Sequence, residues 1–232
     1  MKTIGGNSDP EPEKSGDARC PYSLDVLEAV RGRMESAAAR MDRPVVVALG
    51  GPGGTGKSTI AHFLCGQVPG CAVLPLDDYR KSRADRFASG LLGSHPEGNR
   101  LGLLRAHLET ARRGEAVERP VFDSVAGEAR TTQRVGPARI LLAEGEIAAH
   151  RCLSDAFDLR ILVEAHWRTQ LHTRLTRDIR ERKYSLERAI EVYLQSNLRD
   201  YPAFADPEAD IILYRTRNGR LKLRMKPRPS GD

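Results

Sequence analysis

Gly51-Pro52-Gly53-Gly54-Thr55-Gly56-Lys57-Ser58 fits the spacing G-x-x-x-x-G-K-[ST], and its flanks limit what the chain can fold into. Pro44 to Leu49 is a short apolar, β-branched run, the pattern of a strand buried on both faces. After the loop, Ile60, Phe63 and Leu64 fall at i, i+3 and i+4, which places them on one helix face. Strand, glycine-rich loop and helix form the context in which such a loop cradles phosphates. Glycines let the loop curl so that backbone N–H groups converge, and the helix N-terminus adds partial positive charge. Gly51, Gly53, Gly54, Thr55, Gly56, Lys57, Ser58 and Thr59 are therefore the candidate contacts of a nucleoside triphosphate. Lys57 is expected at the β- and γ-phosphates, and Ser58 at a bound Mg²⁺.

The 232 residues suit one α/β domain of about 200 residues plus tails. A core of that size needs no disulfide or metal staple. No apolar run reaches the ~18 residues needed to cross a bilayer, and no secretory leader is expected. Cys20, Cys65, Cys71 and Cys152 lack C-x-x-C spacing and read as reduced thiols in a cytoplasmic protein. The net charge of +6 fits either a nucleic-acid surface or arginines serving phosphates together with a basic tail. The second reading is preferred, because no nucleic-acid-binding signature accompanies the charge.

Residues 1–20 are polar and read as a disordered tail. Residues 21–214 form the main domain, and residues 215–232 a basic C-terminal hairpin and tail. Ser23 reads as the N-cap of a helix to about Met41, with Leu24, Leu27, Val30 and Met34 as its apolar side. A second apolar run, Cys71 to Leu76, ends directly in Asp77-Asp78. Arg80 to Asn99 has no clear period and reads as a mobile substrate loop. Leu101 to Arg113 is helical, with Leu103, Leu104 and Leu108 on one side. Pro120 opens an irregular excursion; strands follow at Arg139–Ala143, Arg160–Val163 and Asp210–Tyr214. Helices are expected over Arg168–Arg182 and Leu186–Asp200, and Asn218-Gly219 signals a hairpin into Leu221–Met225. Alternating strands and helices predict a parallel sheet with helices on both faces and ligands at the strands' carboxyl ends.

Three strand ends meet in such a sheet: the loop at Gly51, the pair Asp77-Asp78, and Glu144. Phosphoryl transfer needs positioned phosphates, a metal and a group that orients or deprotonates the nucleophile. Asp77 is the first candidate for the base and Asp78 the second; as plain residues they also fit caps or solvated turns. Glu144 follows an apolar run as a magnesium-holding carboxylate would, with Ser58 and Asp77 beside it; a loop carboxylate is the plainer alternative. Arg174, Arg177, Arg180 and Arg182 share one helix, with Leu171, Leu175 and Ile179 expected as its buried stripe. Arginines three apart can grip phosphates jointly, although such a run also suits a solvated helix face.

Taken in order, these segments resemble the uridine kinase/phosphoribulokinase/pantothenate kinase family. Leu76-Asp77-Asp78-Tyr79-Arg80-Lys81-Ser82 is similar to L-D-D-F-Y-K-S, Pro120-Val121-Phe122-Asp123 to P-V-Y-D, and Ala143-Glu144-Gly145 to V-E-G. Phe157 to Val163 resembles F-D-L-K-I-F-V, Arg177-Asp178 with Glu181-Arg182 the lid segment, and Ala209 to Ile212 the last core strand A-D-I-I. The resemblance covers residues 44–214. It implies a P-loop kinase-like α/β fold with an arginine-bearing lid helix over about residues 168–184. It further implies ATP and Mg²⁺ as cofactors, and a small-molecule hydroxyl acceptor as partner. Asp77 would be the catalytic base, Glu144 would contact magnesium, and Arg174, Arg177 and Arg182 would close as a lid. Asp78, Tyr79, His95, Phe122, Asp123 and Arg130 are the implied acceptor-side residues.

Departures bear on the acceptor. Where the uridine kinases have D-H-P, this chain has Ser94-His95-Pro96, without the diol-binding carboxylate. Phe122 to Arg130 is one residue longer than Y-D-F-V-x-H-x-R and lacks its histidine; Lys183 stands where the lid often has glycine. These changes argue for a modified nucleoside, a sugar or a pantothenate-like acid over plain uridine or cytidine, which stays as the alternative. A regulatory ATP-binding protein is the rival class, and a guanine-reading N-K-x-D is missing. Homo-oligomerisation is left open.

Overall fold

The computed structural model describes residues 24–225, so the N-terminal tail, Ser23 and the end of the basic tail lie outside the described residues. Helix α1 (Leu24–Ala39) leads into strand β1 (Val45–Gly50), the phosphate loop and helix α2 (Lys57–Gln67). Strand β2 (Cys71–Pro75) runs into a 3-10 turn at Leu76–Tyr79 that carries both aspartates. Then come α3 (Arg83–Ala88), α4 (Leu101–Arg112), β3 (Val117–Asp123), β4 (Glu128–Val135) and β5 (Ile140–Glu144). Strand β6 (Leu159–Ala165), α5 (Trp167–Arg180) and α6 (Leu186–Tyr193) follow. A π-helical stretch (Leu194–Asp200) and α7 (Tyr201–Phe204) lead to the closing pair β7 (Ile211–Arg215) and β8 (Leu221–Met225).

The main sheet has the order β2-β5-β1-β6-β7-β8, parallel except for β8 against β7. Every residue of β1 and β5 is buried, which a central strand coated on both sides requires. Alternation sorts their side chains: Val45, Val47, Leu49, Ile140 and Leu142 join α1 and α2 in one core layer. Val46, Ala48, Leu141 and Ala143 join Leu104, Leu108 and Tyr79 in the other. Because β1, β2 and β5 are parallel neighbours, their carboxyl ends lie side by side. That registry brings the loop after Gly50, the turn after Pro75 and Glu144 to one rim.

Several expectations are corrected. The excursion after Pro120 is an antiparallel hairpin, β3 with β4, separate from the main sheet. Arg80 to Asn99 holds a helix and a 3-10 turn rather than a mobile loop; Ser82 caps α3 by accepting from the Asp85 amide at 3.0 Å. Asn99 Nδ2 donates to the Gly93 and His95 carbonyls at 3.0 and 2.8 Å. Order built from such local polar bonds leaves no hydrophobic period to read. In α1, Leu27, Val30 and Met34 are buried while Leu24, at the first position of the helix, is exposed. In α4, Leu104 and Leu108 are buried while Leu103 is exposed, because inward positions there follow Leu101, Leu104 and Leu108. Cys65 and Cys71 are joined as a disulfide rather than reduced, since the tight turn between α2 and β2 puts their Cα atoms 5.0 Å apart. Cys152 is free and exposed.

Candidate active site

The phosphate loop starts where β1 ends and closes on α2. Gly56 sits just before the helix at φ 96°, a left-handed conformation that glycine adopts without cost. A side chain at Gly53 would overlap the Arg174 guanidinium, so the loop and α5 pack as one unit. Thr55 Oγ1 and Lys57 Nζ donate to the Pro52 carbonyl at 3.1 and 3.0 Å, which pins the curl from inside. Gly53, Gly54, Gly56, Lys57, Ser58 and Thr59 line a cleft of about 250 Å³. Gly51 and Thr55 are buried behind it; a side chain at Gly51 would meet the Val163 carbonyl.

Across from the loop stand three carboxylates. Ser58 Oγ donates to Glu144 Oε1 at 3.1 Å. Burial first, and the nearby Asp77 charge second, push the Glu144 carboxyl upward against Lys57 and Ser58. Glu146, two residues on, is buried, accepts from Ser196 Oγ at 3.0 Å, and is likewise pushed up by burial. Asp77 pairs with Arg80 at 2.6 Å. Burial acts to raise its pKa, but the field of Arg80, Lys57, Arg182 and Arg177 outweighs that and holds it below the usual carboxylate range. Its side chain is 51% exposed in the cleft, so the cations rather than desolvation set its charge. Burial pushes the Lys57 ammonium down, opposed by Glu146, Glu144 and Asp77.

Helix α5 reverses the expected amphipathicity. Its buried residues are Arg174 and Asp178, while Leu171 and Leu175 are only partly covered and Ile179 is exposed. Arg174 Nη1 donates to Ser196 Oγ and Asn197 Oδ1 at 3.1 and 2.8 Å, and Asn197 Nδ2 reaches back to the Gly53 carbonyl at 2.8 Å. Asp178, fully buried, pairs with Arg174, Arg177 and Arg182 at 3.4, 3.4 and 3.2 Å. A polar helix face can be buried because each charge on it has a partner. Arg174, Arg177 and Arg182 all line the phosphate cleft.

A second, larger cleft of about 560 Å³ adjoins the first, and Arg80, Glu146, Arg174 and Arg182 belong to both. Phe122 lines it. The other implied acceptor-side residues are placed elsewhere. Asp78 accepts from Arg119 and from the Phe122 amide, anchoring the hairpin. Tyr79 is wholly buried, with its hydroxyl 2.8 Å from His107 Nδ1. His95 accepts from the Glu97 amide at 3.2 Å and packs edge-on against Phe204. Asp123 closes the hairpin turn by accepting from the Val125 and Ala126 amides, and Arg130 is exposed beside Glu128.

Sequence reasoning passed over Arg80, Glu146, Ser196 and Asn197. Arg80 lies one turn after Asp77, and Glu146 two positions after Glu144, so local spacing could have flagged both. Ser196 and Asn197 lie on a π-helical stretch that no simple period marks. No group of three or more His, Cys, Asp or Glu side chains able to hold a metal occurs among the described residues. Ser58 with Glu144 nonetheless offers hard oxygen donors of the kind Mg²⁺ takes, the remaining positions being filled by phosphates and water.

A phosphate cradle at the end of a central parallel strand, faced by carboxylates and an arginine-bearing helix, defines a P-loop kinase. The model of the Phosphoribulokinase / Uridine kinase family matches residues 46–221, and the chain belongs to that family. A uridine kinase from Clostridium perfringens is 30% identical over 185 residues, covering 75% of this chain and 88% of that enzyme. The chloroplastic phosphoribulokinase of Triticum aestivum is 25% identical over 197 residues, 75% of this chain and 48% of that enzyme. Among solved structures, D-glycerate 3-kinase from Cryptococcus neoformans superimposes with a TM-score of 0.68 at 14% identity, covering 86% of this chain and 99% of that one. A protein of Silicibacter sp. TM1040 described as a fructose transport system kinase gives 0.70 at 23%, covering 80% and 98%. These two likenesses speak to the fold. Family membership makes the chain a small-metabolite kinase, and implies ATP as its phosphate donor.

Proposed function

We propose that the chain transfers the γ-phosphoryl group of ATP to a hydroxyl of a small metabolite, with Asp77 as general base. The observation that carries this reading is the placement of Asp77. It lines the phosphate cleft, and its partner Arg80 lines both clefts, so an acceptor hydroxyl in the larger one meets the γ-phosphate at their shared wall. Lys57 and the loop amides would hold the triphosphate. Ser58 and Glu144 would hold Mg²⁺, which when bound neutralises charge on the β- and γ-phosphates. Asp77, ionised and steadied by Arg80, accepts the hydroxyl proton as the oxygen attacks phosphorus. Arg174, Arg177 and Arg182 spread the charge of the transferring oxygens and exclude water.

Uridine or cytidine is the second reading, favoured by the uridine kinases among the relatives. Against it, Ser94 Oγ is committed to the buried Asp200 carboxylate at 2.7 Å, and Phe122 brings no hydroxyl to the cleft. The test is acceptor-stimulated ADP release with Asp77→Asn alongside. The expected outcome is a kcat lower by about 10²–10⁴ with the ATP dissociation constant within twofold. An unchanged kcat would remove Asp77 from the role of base, and ATP turnover indifferent to every acceptor would favour a regulatory nucleotide-binding protein.

A further inference from the structure

The larger cleft is unbalanced in charge. Seven of its lining side chains are cations, against two carboxylates, Glu146 and Glu181. Four of the seven are accounted for: Arg80 by Asp77, Arg174 and Arg182 by Asp178, and Arg188 by Glu191. Arg83, Arg86 and Lys183 form no salt bridge among the described residues, and Glu181 makes none with any of them. None of these three lines the smaller cleft that holds the phosphate loop.

Their positions are held from outside. Arg83 donates to the Ser124 carbonyl in the hairpin turn, and Arg86 Nε donates to the Lys81 carbonyl at 3.1 Å. The Arg86 guanidinium rests 5.9 Å from the Phe122 ring centroid, a cation–π contact that fixes it without neutralising it. Burial, then the like charges of Arg80 and Arg83, bear on Arg86, which an anion in the cleft would relieve. Lys183 adds an independent sign. It adopts φ 58°, the left-handed region that disfavours a side chain, at a turn where glycine would sit without strain. From that turn the lysine lines the cleft.

We propose that the acceptor is an anionic hydroxy compound, a phosphate- or carboxylate-bearing sugar or acid, whose anion is gripped by Arg83, Arg86 and Lys183 while its hydroxyl reaches Asp77. This names the substrate class of the site already described and rests on its reading as a kinase. Arg83 and Arg86 lie one helical turn apart on α3, Lys183 lies in the segment after α5, and all three line this cleft. Phe122, Tyr184 and Leu92 line the same cleft and offer apolar surface to a carbon skeleton.

The test pairs acceptors that differ only in charge: glycerate against glycerol, and ribose 5-phosphate against ribose. ADP release reports transfer. Calorimetry of the same compounds on the full chain, with ADP filling the phosphate loop, reports binding. The expected result is that only anionic members act or bind. The double variant Arg83→Gln/Arg86→Gln should weaken them at least tenfold in KM or dissociation constant, with the ATP KM within twofold. Arg86→Lys should retain part of the affinity, which a merely structural role would not give. Neutral members acting as well as anionic ones, or anionic members indifferent to the double variant, overturn the proposal and leave the kinase reading intact. Anion binding sensitive to the double variant but with no transfer sustains the grip of Arg83, Arg86 and Lys183 on an anion and counts against the bound compound as acceptor and against the kinase reading. Absence of both binding and transfer across the pairs overturns it.

Discussion

At Asp158 two carboxylate oxygens, almost entirely buried, accept from Arg43 at 2.7 and 2.9 Å, from the Val46 amide at 2.8 Å and from Arg112 at 3.3 Å. The residue ties the entry of β6 to the entry of β1. Burial alone would raise its pKa; the Arg43 hydrogen bond, the Val46 amide and Arg112 outweigh it and leave the folded value depressed. Stability from this group is therefore full above the unfolded carboxylate value of about 4 and is lost as pH falls through the lower folded value. Asp158→Asn should cost about 1–3 kcal/mol at neutral pH by urea unfolding, since it removes a buried charged acceptor of two guanidinium groups and a backbone amide. The same variant should flatten the acid limb of the stability curve. Lys183 makes the opposite case. Lys183→Gly removes about 1 kcal/mol of left-handed strain, so the thermal midpoint should hold or rise while the acceptor KM increases. A midpoint that falls would mean that the lysine stabilises the turn itself.

Helix α5 and the hairpin mark the limits of what the sequence discloses. Strands β1 and β5 were legible because both faces are covered, which leaves unbroken apolar runs. The hairpin was not, because β4 is largely exposed and reads Glu128-Ala129-Arg130-Thr131-Thr132-Gln133-Arg134-Val135, with only β3 to pair with. In α5 the arginines were visible but their orientation was not: a period count assigns the inward face to leucines, whereas partners far along the chain, Ser196 and Asn197, draw Arg174 inward. Asp178 holds three arginines of this segment, so Asp178→Asn should disorganise them together. We expect a kcat reduced by at least tenfold and faster proteolysis after Arg177, Arg180 or Arg182, with part of the protection restored by ATP. Equal proteolysis of variant and parent would show that the segment is held by its neighbours rather than by this carboxylate.

Across the molecule, the rim was legible from three short sequences because parallel registry leaves little freedom: once β2, β5 and β1 are neighbours, their carboxyl ends share an edge. The acceptor side was not, since the family's motif positions Tyr79, His95, Asp123 and Arg130 serve packing, capping or solvent here. A ligand that binds only the folded chain stabilises it by mass action, so Mg-ATP at a hundred times its dissociation constant should add about 2.7 kcal/mol to unfolding. Lys57→Ala should abolish most of that gain in a thermal-shift titration at fixed nucleotide concentration, and a full gain in the variant would locate the nucleotide elsewhere.

The charge gathered in the two adjoining clefts acts beyond the molecular surface. A concave wall of arginines focuses its field outward and biases the approach of anions while they are still diffusing. Dissolved salt shortens the reach of that field to about 8 Å at physiological ionic strength and about 3 Å at 1 M. Encounter, rather than chemistry, is then the step that ionic strength governs: kcat/KM should fall several-fold between 50 and 500 mM KCl while kcat changes little.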